Sequence, residues 1–265
     1  MSWDTLAALD QNDTAVRERT REDQVETVDF LADLVAHLYM GLQQRSRFPI
    51  VGDAPEWAAA FLAHAAGALH WAFKQLLNGY YAHAIGSLRN VLEDASVVAY
   101  LSLYPDEAAK FTAMRERLEE YVQKDTVKTG PYRTKLAALE GESNQALVAG
   151  MRKAQEMMKA LHQYGHPSLF ALELVRAEDG VSTAGYYSAE GFRQAAYMFV
   201  GTFHYVAEAA HSLIGESDPK WTAKNIALVQ QSAKWIARAN KIIGASESPG
   251  VNLGRDTVVE RIIEE

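Results

Sequence analysis

Three residues on one predicted helical face have the types and spacing of metal ligands. His204, Glu208 and His211 are spaced i, i+4 and i+7, so one face carries two imidazoles and a carboxylate. A divalent metal accepts such ligands. A helix-bundle di-iron site, however, needs two Glu-x-x-His units and two further glutamates, and this sequence has one such unit. The sequence therefore favours a packing or surface role and predicts no metal or cofactor, with metal binding by these three residues as the alternative.

The segment ALHQYGHPSL contains the candidate for general acid–base catalysis, His166. Pro167 biases His166 toward an extended conformation, which places the imidazole just past a helix end and beside Tyr164. Acid–base catalysis needs an imidazole with an orienting partner, and Glu93 or Asp94 is the candidate for that partner. A histidine that ends a helix and satisfies its free carbonyls explains the same residues without catalysis.

Charged residues also interrupt the most apolar stretch, NGYYAHAIGSLRNVLEDASVVAYLSL, which spans residues 78–103. Its apolar residues recur at helical spacing nearly all round, which predicts a buried helix. One predicted seam consists of Tyr81, Ile85, Leu88, Leu92, Ala95 and Ala99, and the opposite side continues with Ala84, Val91, Val98 and Leu101. Arg89, Glu93 and Asp94 lie in its middle and need partners, because buried charge is costly unless it is paired. Arg89 and Glu93 are four residues apart and can meet on one face. The trio either holds a bundle in register or forms the floor of a site, and a buried Arg89 predicts that Arg89→Ala destabilises the fold by several kcal/mol.

Charge and composition limit the other function classes. The net charge of −8 argues against general binding to phosphate backbones, and no DNA partner is expected. The predicted last helix is locally basic, which is typical of a solvated face, with an RNA- or phosphate-facing stripe as the alternative. Its basic residues are Lys220, Lys224, Lys234, Arg238 and Lys241. The sequence contains no phosphate loop, GxSxG elbow, dinucleotide fingerprint or HExxH motif, and its lack of cysteine excludes disulfides and thiolate sites.

Periodicity and turn signals, among them an Asn78-Gly79 break before the most apolar helix, predict an all-α, multi-helix bundle of about seven helices. The expected organisation is an N-terminal arm over residues 1–21, one helical-bundle domain over 22–245, and a tail over 246–265 with a short amphipathic helix. Residues 169–187 are the candidate for a short β-hairpin, with its turn at Asp179-Gly180. The N-terminus lacks the basic and apolar regions of a signal peptide, and the longest uncharged run is shorter than the ~20 residues of a membrane span. A soluble, cytoplasmic protein without membrane contact is therefore expected.

The segment NGYYAHAIGSLRNVLEDASVVAYL, followed some sixty residues later by a helix that ends in YGHPS, resembles the HEPN-like superfamily of helical domains. The resemblance is closest to a prokaryotic branch with an Arg-x-x-x-Glu helix and a later His-Pro/Ser turn, and it covers roughly residues 56–168. It implies a four-helix core, a homodimer, and links to phage defence, toxin–antitoxin systems or RNA cleavage, with RNA or a nucleotide as partner. Arg89, Glu93 and His166 match the polar cluster of the family.

The resemblance departs from the ribonuclease members at one motif. Those members carry Arg followed four to six residues later by His on a late helix, whereas the nearest arginine before His166 is Arg152. The expected function is therefore a binding or scaffold role, with a cleft lined by Arg89, Glu93, Tyr164 and His166. An RNA- or nucleotide-directed hydrolase that uses His166 is the alternative.

Overall fold

Apolar residues at helical spacing account for most of the secondary structure. The computed structural model describes residues 3–43, 53–116, 157, 159, 161, 174, 176–177, 180–181, 184–215 and 218–245. The α-helices in these ranges are α1 (Trp3–Asp23), α2 (Val25–Gln43), α3 (Asp53–Leu77), α4 (Tyr81–Leu103), α5 (Ala108–Glu116), α6 (Ala189–Ile214) and α7 (Pro219–Ala245). A 3₁₀ turn at Pro105–Glu107 joins α4 to α5. The predicted all-α bundle is confirmed.

The central position of α4 explains its apolar sequence. Its most extensive contacts are with α3 on one side and α6 on another. The predicted seam is buried from Tyr81 through Ala95, and only Ala99 is half-exposed. Val91, Val98 and Leu101 on the opposite side are buried as well, because neighbouring helices cover α4 on several sides. Each Å² of apolar surface that is buried in this way stabilises the fold by roughly 25 cal/mol, and this is the main term that favours the bundle.

The turn between α3 and α4 fixes how these two helices pair. Gly79 has a φ of +79°, a left-handed conformation that glycine adopts without a Cβ penalty. The backbone N–H of Tyr80 donates to Gln75 O at 2.9 Å, and that of Gly79 donates to Leu76 O at 3.2 Å. These are the two hydrogen bonds of a Schellman motif, which satisfies carbonyls at the end of α3. The Asn78-Gly79 break predicted from the sequence is confirmed.

The predicted hairpin segment contains a short antiparallel pair. β1 (Arg176–Ala177) pairs with β2 (Gly180–Val181), with Arg176 opposite Val181. Gly180, which the sequence placed in the turn, pairs with Ala177 and so belongs to β2. Leu174 and residues 184–188 lie outside the ladder. Beyond it, Ser188 caps α6 by accepting a 3.0 Å hydrogen bond from the N–H of Gly191.

Most of α1 is polar and docks on the bundle mainly through hydrogen bonds. Val16 and Thr20 are its buried side chains among those described. Its hydrogen bonds to the α3–α4 turn and to the segment before α6 are Asn12 Nδ2 to Gly185 O, Tyr80 Oη to Asp13 Oδ1 and Arg17 Nε to Asn78 Oδ1. Gln24, between α1 and α2, adds a hydrogen bond from Nε2 to Tyr187 Oη. The sequence also predicts a helical stretch over 131–165, of which the structure describes only Met157, Lys159 and Leu161, all helical, and the predicted tail over 246–265 lies wholly outside the described residues.

Candidate functional site

Arg89 and Glu93 form an ion pair on α4. Arg89 Nε donates to Glu93 Oε1 at 3.0 Å, and the two side chains are 22% and 29% exposed. The pair is therefore half-buried, which differs from the fully enclosed pair that the apolar sequence of α4 predicts. Partial exposure lowers the cost of desolvating the charges and also lowers the free energy that the pair contributes.

Asp94 points to a different neighbour, His64 on α3. The Nδ1 atom of His64 lies 2.6 Å from Oδ2 of Asp94. The Asp94 side chain is 12% exposed, whereas that of His64 is 71% exposed, so a buried carboxylate holds an imidazole at the protein surface. An ionised carboxylate only accepts, so Nδ1–H is the donor and Nε2 is the unprotonated nitrogen of the neutral ring. Nε2 makes no hydrogen bond within the described ranges.

Burial dominates the electrostatics of Asp94. Desolvation raises the pKa of Asp94 to about 6, and the hydrogen bond and charge of His64 oppose that rise. The charge of Glu93, the preceding residue, adds the smallest contribution, an upward one, and the pKa of about 6 is the net result. The carboxylate of Asp94 therefore changes its protonation state close to neutral pH, which is the range in which acid–base groups work.

The surface of α3 beside His64 is open and carries an exposed aromatic ring. Gly67 and Trp71 follow His64 at i+3 and i+7, on the same helical face. A Cβ added at Gly67 would meet no heavy atom within 4 Å, and Trp71 is 56% exposed. His64, Gly67 and Trp71 therefore form an accessible strip, which we call the α3 strip.

The structure describes two of the four residues that were predicted to line a cleft. The structure brings Arg89 and Glu93 together, while Tyr164 and His166 lie outside the described residues. Asp94, predicted as an orienting partner for His166, has His64 as its partner. His64 was not predicted, because its pairing depends on the axial offset between α3 and α4, which no local pattern encodes.

His204, Glu208 and His211 lie on α6 in different environments. Among the described residues, no three His, Cys, Asp or Glu side chains form a group that could hold a metal ion. His204 has a buried Nε2 with no hydrogen-bond partner, and burial lowers its pKa, whereas Glu208 and His211 are exposed. The three side chains thus differ in exposure along one face of α6, and metal binding by them stays a prediction.

Comparison with known proteins identifies no relative: no family model matches the chain, and neither the curated proteins nor the solved structures contain a match. None of the described helices has both the length and the hydrophobicity that a membrane span requires. The geometry of the residues therefore carries the functional inference.

Proposed function

We propose that this chain is a HEPN-like helical-bundle protein with a binding or scaffold role in a defence or toxin–antitoxin-like context. The proposed protein is cytoplasmic and homodimeric. The all-α bundle and the Arg-x-x-x-Glu pair on its central helix are consistent with the resemblance of the sequence to that superfamily.

The partners of the two α4 carboxylates support a non-catalytic role. Glu93 accepts from Arg89 at 3.0 Å, and Asp94 accepts from His64 at 2.6 Å. A general acid–base histidine at position 166 needs an orienting group, and these were the two candidates for it. Both carboxylates thus have observed partners other than His166, and these contacts join positions within α4 and between α4 and α3, as a role in holding the bundle requires.

The test combines light scattering with an RNA cleavage assay. Purified full-length protein should have twice the mass of one chain in light scattering. Labelled single-stranded RNA incubated with it, without added metal and with Mg²⁺, should remain intact. Cleavage that is absent from a mock purification would contradict the binding or scaffold role, and the mass of a single chain would contradict the dimer.

One observation favours a second candidate, an RNA- or nucleotide-directed hydrolase whose acid–base residue is His64. Asp94 fixes the tautomer and orientation of the His64 imidazole, as a catalytic histidine requires. Trp71 supplies an exposed aromatic face on the same strip, on which a base can stack. The α3 strip thus offers a stacking group and an oriented imidazole on one surface.

The hydrolysis would use both states of the imidazole. His64 Nε2 takes a proton from water as the water oxygen bonds to phosphorus. The bond from phosphorus to the leaving oxygen breaks, and that oxygen takes the proton back from the imidazolium. Asp94 must be ionised to stabilise the imidazolium, so the rate should fall as pH drops below about 6, the pKa of Asp94.

Three variants decide between the two candidates. His64→Ala and Asp94→Asn should remove cleavage of labelled RNA or of a nucleoside triphosphate. His83→Ala, which changes an exposed histidine on α4 outside the α3 strip, should retain it. Equal cleavage by all three variants, or no cleavage by the wild-type protein, would exclude the hydrolase.

A further inference from the structure

Two helices of the bundle carry opposite charge without internal compensation. α2 contains Glu26, Asp29 and Asp33 and has no lysine or arginine. α7 contains five basic residues and no aspartate or glutamate. At neutral pH, with histidine neutral, α2 has a charge of −3 and α7 a charge of +5.

These helices are antiparallel neighbours. The rings of Phe30 and Trp235 have centroids 6.5 Å apart, and those of His37 and Trp221 are 4.6 Å apart. Residue numbers therefore fall along α7 as they rise along α2. The acidic first half of α2 lies beside the second half of α7, which carries Lys234 and Arg238.

The charged side chains on the outer surfaces of these helices are exposed and unpaired. The residues concerned are Glu26, Asp29, Asp33, Lys220, Lys224, Lys234 and Arg238. None of them takes part in an ion pair within the described ranges, whereas Arg193–Glu190 and Lys110–Glu107 do pair elsewhere on the surface. The seven charges remain available to a partner.

We propose that the outer face of α2 and α7 is an interface with a second copy of this chain. A two-fold axis parallel to the helices places α2 of each copy on α7 of the other. The matching ends then coincide, so Asp29 and Asp33 face Lys234 and Arg238 of the second copy. Such an isologous interface needs a self-complementary surface, and adjacent stripes of opposite sign provide one.

Apolar groups and size also fit this occupant. Val25 and Met40 on α2 and Ile226 on α7 are 53%, 40% and 49% exposed, which makes this face a main site of exposed large hydrophobic side chains. The 19 residues of α2 span roughly 28 Å, and two neighbouring helices are roughly 20 Å wide. The projected face of roughly 560 Å² is of the same order as the ~800 Å² that each partner buries in a standard-size interface.

This interface rests on the homodimer in the proposed function and assigns its surface, so the experiment separates the two. Asp29→Lys with Asp33→Lys makes both stripes basic, and Lys234→Glu with Arg238→Glu makes the contacting stripes acidic. Each double variant should raise the dimer dissociation constant by ~tenfold or more, because like charges then oppose each other. Glu18→Lys with Glu22→Lys changes the charge by the same amount as the first variant on exposed positions of α1 and should leave the constant unchanged.

Mixing the two α2 and α7 variants gives the decisive measurement. In a heterodimer of the two, each basic stripe meets an acidic one, so the mixture should form dimers to within about twofold of the wild-type constant. Analytical ultracentrifugation with one variant fluorescently labelled detects this heterodimer directly. Circular dichroism of each variant checks that the helices are retained.

The possible results show whether the dimer itself or only the α2–α7 interface is wrong. A monomeric wild-type protein removes the dimer and the interface together. A wild-type dimer that both variants leave intact removes only the interface, and so does a loss of dimer that mixing does not restore. Loss in each variant with recovery on mixing supports the α2–α7 interface.

Discussion

The imidazole of His37 stacks on the indole of Trp221, with ring centroids 4.6 Å apart and planes inclined by 12°. The indole Nε1 donates to the backbone oxygen of His37 at 3.2 Å, and His37 Nε2 lies 3.1 Å from Asn225 Oδ1. Asn225 Nδ2 in turn donates to Ala207 O on α6 at 3.0 Å. His37 Nδ1 is buried without a partner, which fits a neutral ring that carries its proton on Nε2. One buried polar network thus connects α2, α6 and α7.

Protonation of His37 should destabilise the protein in mild acid. Burial lowers the pKa of His37 from 6.5 to about 4, so the unfolded chain binds more protons than the folded chain between these values. The stability that the neutral His37 ring contributes is therefore fully present above pH 6.5 and is lost as pH falls toward 4. The difference between the two pKa values corresponds to about 3 kcal/mol. Urea unfolding of the wild type and of His37→Gln at pH 7.5 and 4.5 measures this loss of stability. The part of the wild-type loss that the variant lacks is the contribution of His37.

An exposed histidine provides the control for that experiment. His83→Gln changes a histidine that the solvent already reaches, so its free energy of unfolding should follow that of the wild type at both pH values. A His37→Gln protein with the same pH dependence as the wild type would show that His37 is not the titrating group.

Protonation of Asp94 should stabilise the protein, whereas protonation of His37 destabilises it, and the two pH ranges overlap. Burial raises the pKa of Asp94 from 3.8 to about 6, so the folded chain binds more protons than the unfolded chain between these values. Its contribution is present below pH 3.8 and is lost as pH rises through 6. We expect the wild type to gain up to about 3 kcal/mol relative to Asp94→Asn between pH 7.5 and pH 4.

The matched control for Asp94 is Asp106→Asn, which changes an exposed carboxylate in the 3₁₀ turn between α4 and α5. Its difference from the wild type should be nearly the same at both pH values. A pH-independent difference for Asp94→Asn as well would mean that burial of the carboxylate does not govern its titration. The effects of His37 and Asp94 on stability have opposite signs, so the pH dependence of wild-type unfolding cannot separate them. Both variants are therefore needed.

The sequence predicts those parts of the fold that depend on local spacing. The seam from Tyr81 to Ala95 is visible because an apolar residue recurs with each helical turn, and Asn78-Gly79 is visible because few residues adopt a left-handed turn. Ala99 was placed in the seam and is half-exposed, since the period states which face is apolar and not where the neighbouring helices end.

The polar contacts between helices cannot be predicted from the spacing within one helix. His64 meets Asp94 across 30 positions of sequence, and His37 meets Asn225 across 188. Each contact depends on which helices are neighbours and on their relative axial shift, and neither is encoded in a single helix. Arg89 with Glu93 was predictable because both residues belong to one helix and are four positions apart.

The Arg89–Glu93 pair should contribute about 1 kcal/mol to stability. Its side chains are 22% and 29% exposed, so Arg89→Ala leaves the Glu93 charge partly solvated and should cost less than the several kcal/mol predicted for a fully buried Arg89. Both residues have further interactions, so each single alanine variant measures more than the pair. A double-mutant cycle with Arg89→Ala and Glu93→Ala isolates the coupling free energy.

A second ion pair sets the scale for that cycle. Arg193 and Glu190 on α6 are 2.8 Å apart and about half-exposed, at 46% and 53%. Solvent screens this pair, so its coupling should be below ~0.5 kcal/mol. Equal coupling free energies in the two cycles would mean that the position of Arg89 and Glu93 on α4 gives their pair no additional strength.

Two glycines on or beside α3 should respond to alanine in opposite directions. Gly79 has a φ of +79°, and a Cβ there would collide with the backbone oxygen of Tyr186, so Gly79→Ala combines a strained conformation with a clash against main chain. Gly67 is inside α3, and the space around an added Cβ is open. We expect a loss of at least ~2 kcal/mol for Gly79→Ala and a gain of up to ~1 kcal/mol for Gly67→Ala, because alanine is the better helix former. Chemical denaturation of both variants at one pH measures the two effects, and a loss for Gly67→Ala would show that the α3 strip is in contact with another part of the protein.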